Sequence, residues 1–131
     1  MAEVILTEEQ LQERLKYWQE KLRLQDWEIE VKMKKSWDMP ENTVACVDWT
    51  LNRKIATIFV LDPDFYSPYC AGERDMEQDL VHELLHLHLA PIHDHFGNND
   101  KIFSTFEEQA IESIASALIA LDRKDARKDA K

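Results

Sequence analysis

An H-E-x-x-H motif, formed by His82, Glu83 and His86, lies within the stretch 79–95 that holds all five histidines of the chain. Residues four positions apart share one face of a helix, so His82 and His86 can bind one metal ion together. Glu83 lies beside them, where its carboxylate can reach a water molecule on that ion. The simpler alternative is a pair of surface histidines. The motif predicts that the rest of the chain supports this helix and supplies a third ligand.

The composition excludes several classes of function. The length of 131 residues predicts one compact domain. The chain has two glycines, Gly72 and Gly97, which is too few for a glycine-rich phosphate-binding loop. The formal net charge of −10 disfavours nucleic-acid binding, because Lys and Arg must replace the counterions of the phosphates. We therefore expect no nucleic acid among the partners.

The two cysteines and the N-terminus predict a cytoplasmic protein. Cys46 and Cys70 do not have the spacing of a C-x-x-C metal or redox motif, and free thiols suit a reducing compartment. No basic segment followed by an apolar core opens the chain, so we expect no signal peptide. No apolar run has membrane-spanning length, and no membrane partner is expected. The sequence leaves the oligomeric state open.

The first part of the chain predicts one helix and three strands. Thr7 and Gln10 form a capping box that opens a helix over 8–24. Its predicted buried stripe consists of Leu11, Leu15, Trp18 and Leu22. Apolar and polar residues alternate over 26–34, which predicts a half-buried strand.

Two further strands are predicted over 44–50 and 55–61, the latter apolar enough to be well covered. Residues 51–53 form a plausible hairpin connection between them. With the strand at 26–34, these segments predict a three-stranded antiparallel meander.

The second part predicts two helices. After a loop over 62–69, the motif helix is expected to begin near Gly72 or Glu73 and to end near Ala90, because Pro91 cannot continue it comfortably. Its predicted buried face consists of Met76, Leu80, Leu84 and Leu87.

After a polar loop over 91–103, a last helix is predicted over 104–121, opened by a capping box of Ser104 and Glu107. Its predicted apolar stripe consists of Ala110, Ile114, Ala117, Leu118 and Leu121. Residues 1–121 are expected to form one α+β domain with the order α-β-β-β-α-α. The charged tail 122–131 is expected to be frayed or disordered.

Two parts of the sequence are candidate sources of the third metal ligand. The extended motif H-E-x-x-H-x-x-G-x-x-H requires glycine at position 89 and histidine at position 92. The chain has Leu89 and Ile92 there, and His93 misses by one position. A carboxylate from the last helix is therefore the better source.

Glu108 is the favoured third ligand, and Glu112 lies one turn further on the same face. Glu112 could accept a hydrogen bond from a ligand imidazole and fix its tautomer. Glu107 points to another side of the helix and suits the capping box. Glu107, Glu112 and a histidine remain alternatives to Glu108 as the ligand.

The other histidines and Asp79 have less specific interpretations. The spacing of His88, His93 and His95 matches no ligand template, which predicts exposed or loop histidines. Asp79 precedes His82 by three residues and could touch it, but a solvated helix residue is the expected case.

The motif at 81–86, followed by Glu108-Gln109-Ala110 on a later helix, resembles that of the small gluzincin-type zinc metallopeptidases. The similarity is greatest to compact zincin-like proteins of phages and mobile elements, and it covers most of residues 8–121. The resemblance implies a minimal zincin fold, with a motif helix and a glutamate-bearing helix beside a three-stranded sheet. It also implies that Zn²⁺ is bound by His82, His86 and Glu108.

The same resemblance implies zinc-dependent hydrolysis of peptide bonds, with Glu83 as the general base and a peptide or protein as the substrate. The strand at 55–61 would pair with an extended substrate. We expect no second domain to form the far wall of a cleft, which would distinguish this chain from larger gluzincins. It also has no oxyanion donor fixed by spacing; the candidate donors are Tyr66, Tyr69, His93 and His95.

Two other functions compete with hydrolysis. A non-catalytic zincin-like binding module would carry a structural or vestigial metal, and a structural zinc site should have four protein ligands. A helix–sheet interaction domain would carry no metal. The number of protein ligands distinguishes the binding module from a catalytic site. The metal content of the purified protein tests the metal-free interaction domain.

Overall fold

The computed structural model describes residues 3–66, 73–97 and 100–129. This part of the chain contains α1 (Glu8–Lys21), β1 (Glu28–Lys34), β2 (Ala45–Thr50), β3 (Ile55–Leu61), α2 (Met76–Ile92) and α3 (Lys101–Asp129). The predicted α+β class and the order of the elements are confirmed. No helix in these residues has the length and apolar character needed to cross a membrane.

The sheet is mixed, and the predicted antiparallel meander is wrong. The strand order is β1-β3-β2, with β1 parallel to β3 and β2 antiparallel to it. β3 is the most apolar strand, so the central place lets it be covered by a strand on each side. β1 carries charged side chains at alternate positions, which suit an edge of the sheet. The connection over 35–44 is long enough to leave room for β3 between the other two strands.

α1 lies beside the free edge of β1 and contacts it at both ends. Its predicted capping box is confirmed: the Gln10 backbone N–H donates to Thr7 Oγ1 (3.1 Å), and the Thr7 N–H donates to Gln10 Oε1 (2.9 Å). Glu8 then accepts a hydrogen bond from the Met33 N–H (2.9 Å). Gln19 donates to the Trp27 carbonyl just before β1 begins (2.7 Å). Side chains of α1 thus occupy backbone groups at both ends of this edge.

The predicted stripe of α1 packs against the core. Leu11, Leu15 and Trp18 are buried, and Leu22 is partly buried. The helix ends at Lys21, three residues earlier than predicted, and Arg23 adopts a left-handed conformation (φ 61°).

α2 is the central helix of the core. The four residues of its predicted buried face are all at most 2% exposed. The helix begins at Met76, later than predicted, with Asp75 as its N-cap. Its predicted end at Ala90 is also wrong, because Pro91 lies inside the last turn. Proline there removes only the N–H that would bond to the Leu87 carbonyl, and the chain continues as a π turn over His93–Gly97.

α3 begins earlier and ends later than predicted. Asp100 caps it by accepting hydrogen bonds from the N–H groups of Ile102 and Phe103, both at 3.0 Å. The predicted capping box of Ser104 and Glu107 is therefore wrong, since both lie inside the helix. The helix runs to Asp129, so the prediction of a frayed tail is wrong for residues 122–129. Residues 130–131 lie outside the described residues.

The buried stripe of α3 also differs from the prediction. Ile111, Ala115 and Ile119 are buried, whereas Ile114 and Leu121 are 47% and 60% exposed. Of the predicted stripe, Ala110 and Ala117 are exposed too, and only Leu118 packs partly against the core. The helix carries two apolar stripes at helical spacing, and contacts distant in sequence select the one that faces α2.

A polar cluster, here called the α3 anchor, fixes the second half of α3. Its members are Arg14, Tyr17, Trp18, Asp75, Glu77, Asp122 and Arg123. Arg123 donates two hydrogen bonds to Asp75 (2.6 and 3.0 Å). Arg14 and Trp18 both donate to Glu77 (2.6 and 2.7 Å). The Tyr17 hydroxyl donates to Asp122. These contacts explain why the charged end of the chain is helical.

Candidate metal centre

His82, His86 and Glu108 meet where α2 faces α3. One ligand atom from each residue lies within 4.8 Å of the other two. His82 Nε2 is 2.9 Å from one oxygen of Glu108, and His86 Nε2 is 3.0 Å from the other. The three residues that the sequence favoured as ligands are thus brought together. Their role as metal ligands stays a prediction.

Each imidazole has a second carboxylate on its other nitrogen. His82 Nδ1 lies 2.7 Å from Glu112, and His86 Nδ1 lies 2.8 Å from Glu107. The contact expected between Glu112 and an imidazole is present, whereas Glu107 sits at 7% exposure beside His86 instead of capping the helix. The sequence does indicate the buried position of Glu107 by its spacing, because it lies one turn before the buried Ile111 on the same face of the helix.

This arrangement suits a divalent cation. A neutral imidazole has one N–H group, and if Nδ1–H donates to the outer carboxylate, Nε2 directs a lone pair at Glu108. A lone pair and a carboxylate oxygen about 3 Å apart repel each other unless a proton or a cation lies between them. Two imidazoles and a carboxylate, with a hydrogen-bonded carboxylate behind each imidazole, fit zinc. Other divalent transition-metal ions accept the same donors.

The proton affinities of the cluster follow from the same contacts. Burial lowers the pKa of His82, but hydrogen bonds to Glu108 and Glu112 and the charge of Glu83 outweigh it and raise the pKa to about 9. The pKa of His86 is raised in the same way, mainly by Glu108 and Glu83 against the effect of burial. Hydrogen bonds from the two histidines lower the pKa of Glu108. Without a metal, the cluster therefore holds protons tightly on its imidazoles.

Glu83 has the environment of a group that exchanges protons near neutral pH. It is 6% exposed and lines the same cleft as the two histidines. Burial raises the pKa of its carboxyl to about 7, although the neighbouring histidines lower it. A carboxyl group with this pKa can accept and release a proton at physiological pH. Its role as a base stays a prediction.

Asp79 is not the solvated residue that was predicted. It pairs with the buried Arg74 at 3.3 Å, and 20% of its side chain is exposed. Burial raises the pKa of its carboxyl to about 6, against the lowering effect of Arg74. Asp79 lines the same cleft as the two histidines of the motif.

The cleft beside the cluster has a volume of about 530 Å³ and lies between β2 and the two helices. The expectation that strand 55–61 would receive a substrate is wrong, because β3 is paired on both sides. β2 is the edge strand that lines the cleft. The Val44 carbonyl accepts a hydrogen bond from the Leu61 N–H, so by alternation the backbone groups of Ala45, Val47 and Trp49 point away from β3.

Cys46 also lines this cleft. Burial, together with the charges of Glu83 and Asp48, raises the pKa of its thiol. The thiol therefore stays protonated and is a poor nucleophile and ligand. Cys70 lies outside the described residues.

The remaining histidines do not join the metal cluster in the described part of the chain. His88 is exposed and contacts the Leu22 carbonyl (2.8 Å), and His95 is exposed beside Phe96, as predicted. The prediction is wrong for His93, which is half-buried, lines the cleft and lies 3.3 Å from Glu107. Among the other candidate donors, Tyr66 lies near Arg74 and Tyr69 lies outside the described residues.

Comparison with known proteins found no matching family model, no similar curated protein and no similar solved structure. The functional proposal for this chain therefore depends on its motif and on the geometry of its site.

Proposed function

We propose that the protein is a zinc-dependent peptidase of the gluzincin type, which hydrolyses peptide bonds with Glu83 as its general base. The observation that carries this proposal is the convergence of both Nε2 atoms and Glu108 in an open cleft, with each Nδ1 already held by a carboxylate. His82, His86 and Glu108 would hold the ion. Three protein ligands leave one coordination position for water, as in catalytic zinc sites.

The bound ion and Glu83 have separate roles in the proposed reaction. Bound zinc lowers the pKa of water and polarises a carbonyl group. Glu83 takes a proton from the attacking water as the water oxygen bonds to the carbonyl carbon. It then delivers that proton to the amide nitrogen as the C–N bond breaks. The raised pKa of Glu83 supports both transfers.

An extended peptide is the proposed substrate, and β2 is the strand that receives it. The outward backbone groups of Ala45, Val47 and Trp49 can form hydrogen bonds with such a peptide. Residues of β2 line the same cleft as the metal cluster. A peptide added along this edge would pass the two histidines and Glu83.

The alternative of a non-catalytic binding module requires a closed metal site. A structural zinc has four protein ligands. The cluster comprises three residues in the described part of the chain, and the nearby His93 faces Glu107. This geometry favours the catalytic proposal over the alternative.

The test combines zinc content, measured by mass spectrometry, with cleavage of fluorophore-labelled casein. Glu83→Gln should keep about one zinc per chain and lose at least about 100-fold in hydrolysis, because the amide cannot accept the proton. Glu13→Gln, an exposed glutamate on α1, is the matched control and should retain both. Stoichiometric zinc with no cleavage by the unmodified protein would favour the binding module, and absence of zinc would exclude both.

A further inference from the structure

We propose that His93 is a further catalytic residue, which donates a hydrogen bond from Nε2 to the carbonyl oxygen of the bound peptide as that oxygen gains negative charge. This inference rests on the proposed peptidase function. Its basis is the position of His93, the first residue of the π turn after α2, in the wall of the same cleft as the motif.

Glu107 links His93 to the metal cluster. One oxygen of this buried carboxylate lies 2.8 Å from His86 Nδ1, and the other lies 3.3 Å from His93 Nδ1. A single carboxylate thus fixes both rings relative to each other. His93 Nε2 has no hydrogen-bond partner among the described residues, and 31% of the side chain is exposed. Nε2 is therefore the polar atom that this ring can offer to a substrate.

Aromatic rings hold His93 from two sides. The Trp49 ring meets it edge-on at 5.2 Å, and the Phe103 ring lies 6.1 Å away. Trp49 is itself fixed, because its Nε1 donates to both oxygens of Asp94 at 3.1 Å. These contacts limit the movement of the His93 ring.

Gly97, at the end of the π turn, leaves the space in which His93 and Phe103 pack. A Cβ atom at this position would lie 3.1 Å from the Phe103 ring and 3.2 Å from His93 Nδ1. Either ring would have to shift to accommodate it. The backbone, the aromatic rings and Glu107 together position His93 before any substrate arrives, and preorganised donors stabilise a developing charge most effectively.

The proposed contribution of His93 is a hydrogen bond. It adds no bond-breaking step to the hydrolysis described above. In the protonated ring, Nδ1–H donates to Glu107 and Nε2–H donates to the carbonyl oxygen. When water adds to the carbonyl carbon, the electron pair of the C=O bond moves to that oxygen, and the hydrogen bond strengthens. The proton stays on Nε2 throughout, and the hydrogen bond weakens again when the carbonyl re-forms.

The experiment uses the full-length, zinc-loaded protein with His93→Phe and His93→Gln. His95→Phe, in the same π turn but exposed, is the matched control. Zinc content and cleavage of labelled casein are measured for each variant. Calorimetry then measures the binding of two probes: phosphoryl-leucyl-tryptophan, whose tetrahedral anionic group mimics the charged oxygen, and acetohydroxamate, which binds the metal alone.

His93→Phe should keep its zinc and its affinity for acetohydroxamate. It should lose about 100-fold in kcat with a KM within about twofold, as expected for removal of one donor to a developing oxyanion. Its affinity for phosphoryl-leucyl-tryptophan should fall by at least about tenfold. His93→Gln, which retains an N–H donor, should recover part of both losses, and His95→Phe should match the unmodified protein.

Two results would overturn the inference alone: unchanged kcat in His93→Phe, or an equal loss of affinity for both probes, which indicates a structural role. If the unmodified zinc-loaded protein neither cleaves casein nor binds the phosphoryl dipeptide, the proposed function fails, and the inference fails with it.

Discussion

Two clusters of charged side chains join α2 to α3, and they differ in whether their charges balance. In the α3 anchor, Arg14 and Arg123 neutralise most of the charge of Asp75, Glu77 and Asp122. In the metal cluster the carboxylates face imidazoles, which are neutral unless protonated.

The difference predicts which cluster stabilises the fold by itself and which depends on a bound proton or cation. Charged groups away from water are stable only when they are paired. The anchor carries its own counter-charges, so it can hold α3 under all conditions near neutral pH. The metal cluster needs protons or a cation from outside, and its contribution to stability should depend on zinc.

The largest effect should follow removal of a ligand from the metal cluster. Glu108→Ala should weaken zinc binding by about 1000-fold, because one of three ligands and its charge are lost. Isothermal titration measures this affinity. Gln109→Ala, at the adjacent exposed position, should bind zinc like the unmodified protein. Equal zinc affinity in Glu108→Ala would show that the two clusters do not differ in the way described.

A smaller effect is expected from a substitution in the α3 anchor, which should change the stability of the fold and leave zinc affinity almost unchanged. Glu77→Gln should lower the free energy of unfolding by about 2 kcal/mol, because it weakens the charged hydrogen bonds from Arg14 and Trp18. Zinc affinity should stay within about twofold. Urea denaturation without zinc measures the free energy of unfolding, and the increase on adding zinc measures the zinc affinity. A large loss of zinc affinity in this variant would mean that the clusters are coupled rather than independent.

The smallest effect should be a dependence of stability on pH, of opposite sign with and without zinc. In a chelator, the raised pKa of His82, about 9, stabilises the fold fully below about pH 6.5, and this contribution is lost as the pH rises through about 9. Glu83 acts in the same direction: its pKa of about 7 lies above the ordinary value of 4.5, so its ionisation costs stability between those values.

The metal-free protein should therefore be more stable at pH 6 than at pH 9, by about 1 kcal/mol after allowance for partial exposure. With zinc the trend should reverse, since metal and protons compete for the same nitrogens. Thermal unfolding at the two pH values gives the result. Equal stability at both values in the chelator would indicate that the imidazoles do not hold extra protons.

The sequence was sufficient to predict which candidate side chains share a face of each helix, because helical spacing is a local property. The period of the helix alone places His82 and His86 on one face, and it makes Glu108 and Glu112 neighbours. The position of Glu107 was missed because two local rules competed. Ser104 and Glu107 satisfy the pattern of a capping box, but Asp100 caps the helix instead.

The parts that were predicted wrongly depend on contacts between residues distant in sequence. Strand order follows from which strand is best covered in the centre of the sheet, and a single strand does not specify its neighbours. Likewise α3 carries two apolar stripes, and its orientation depends on the pairing of Arg123 with Asp75. The same pairing holds the start of the segment 122–129, which is helical although its composition alone resembles a disordered tail.

The unequal protection of the two sheet edges has a consequence for self-association. Glu8 and Gln19 occupy one backbone group near each end of the β1 edge, which makes that edge a poorer template for another chain. Among the described residues, no hydrogen bond occupies the outward backbone groups of Ala45, Val47 and Trp49 on β2. Fibre growth or strand exchange at high concentration should therefore start at β2, and a tightly bound peptide analogue should suppress it. The protein would then be best protected from aggregation while its cleft is filled.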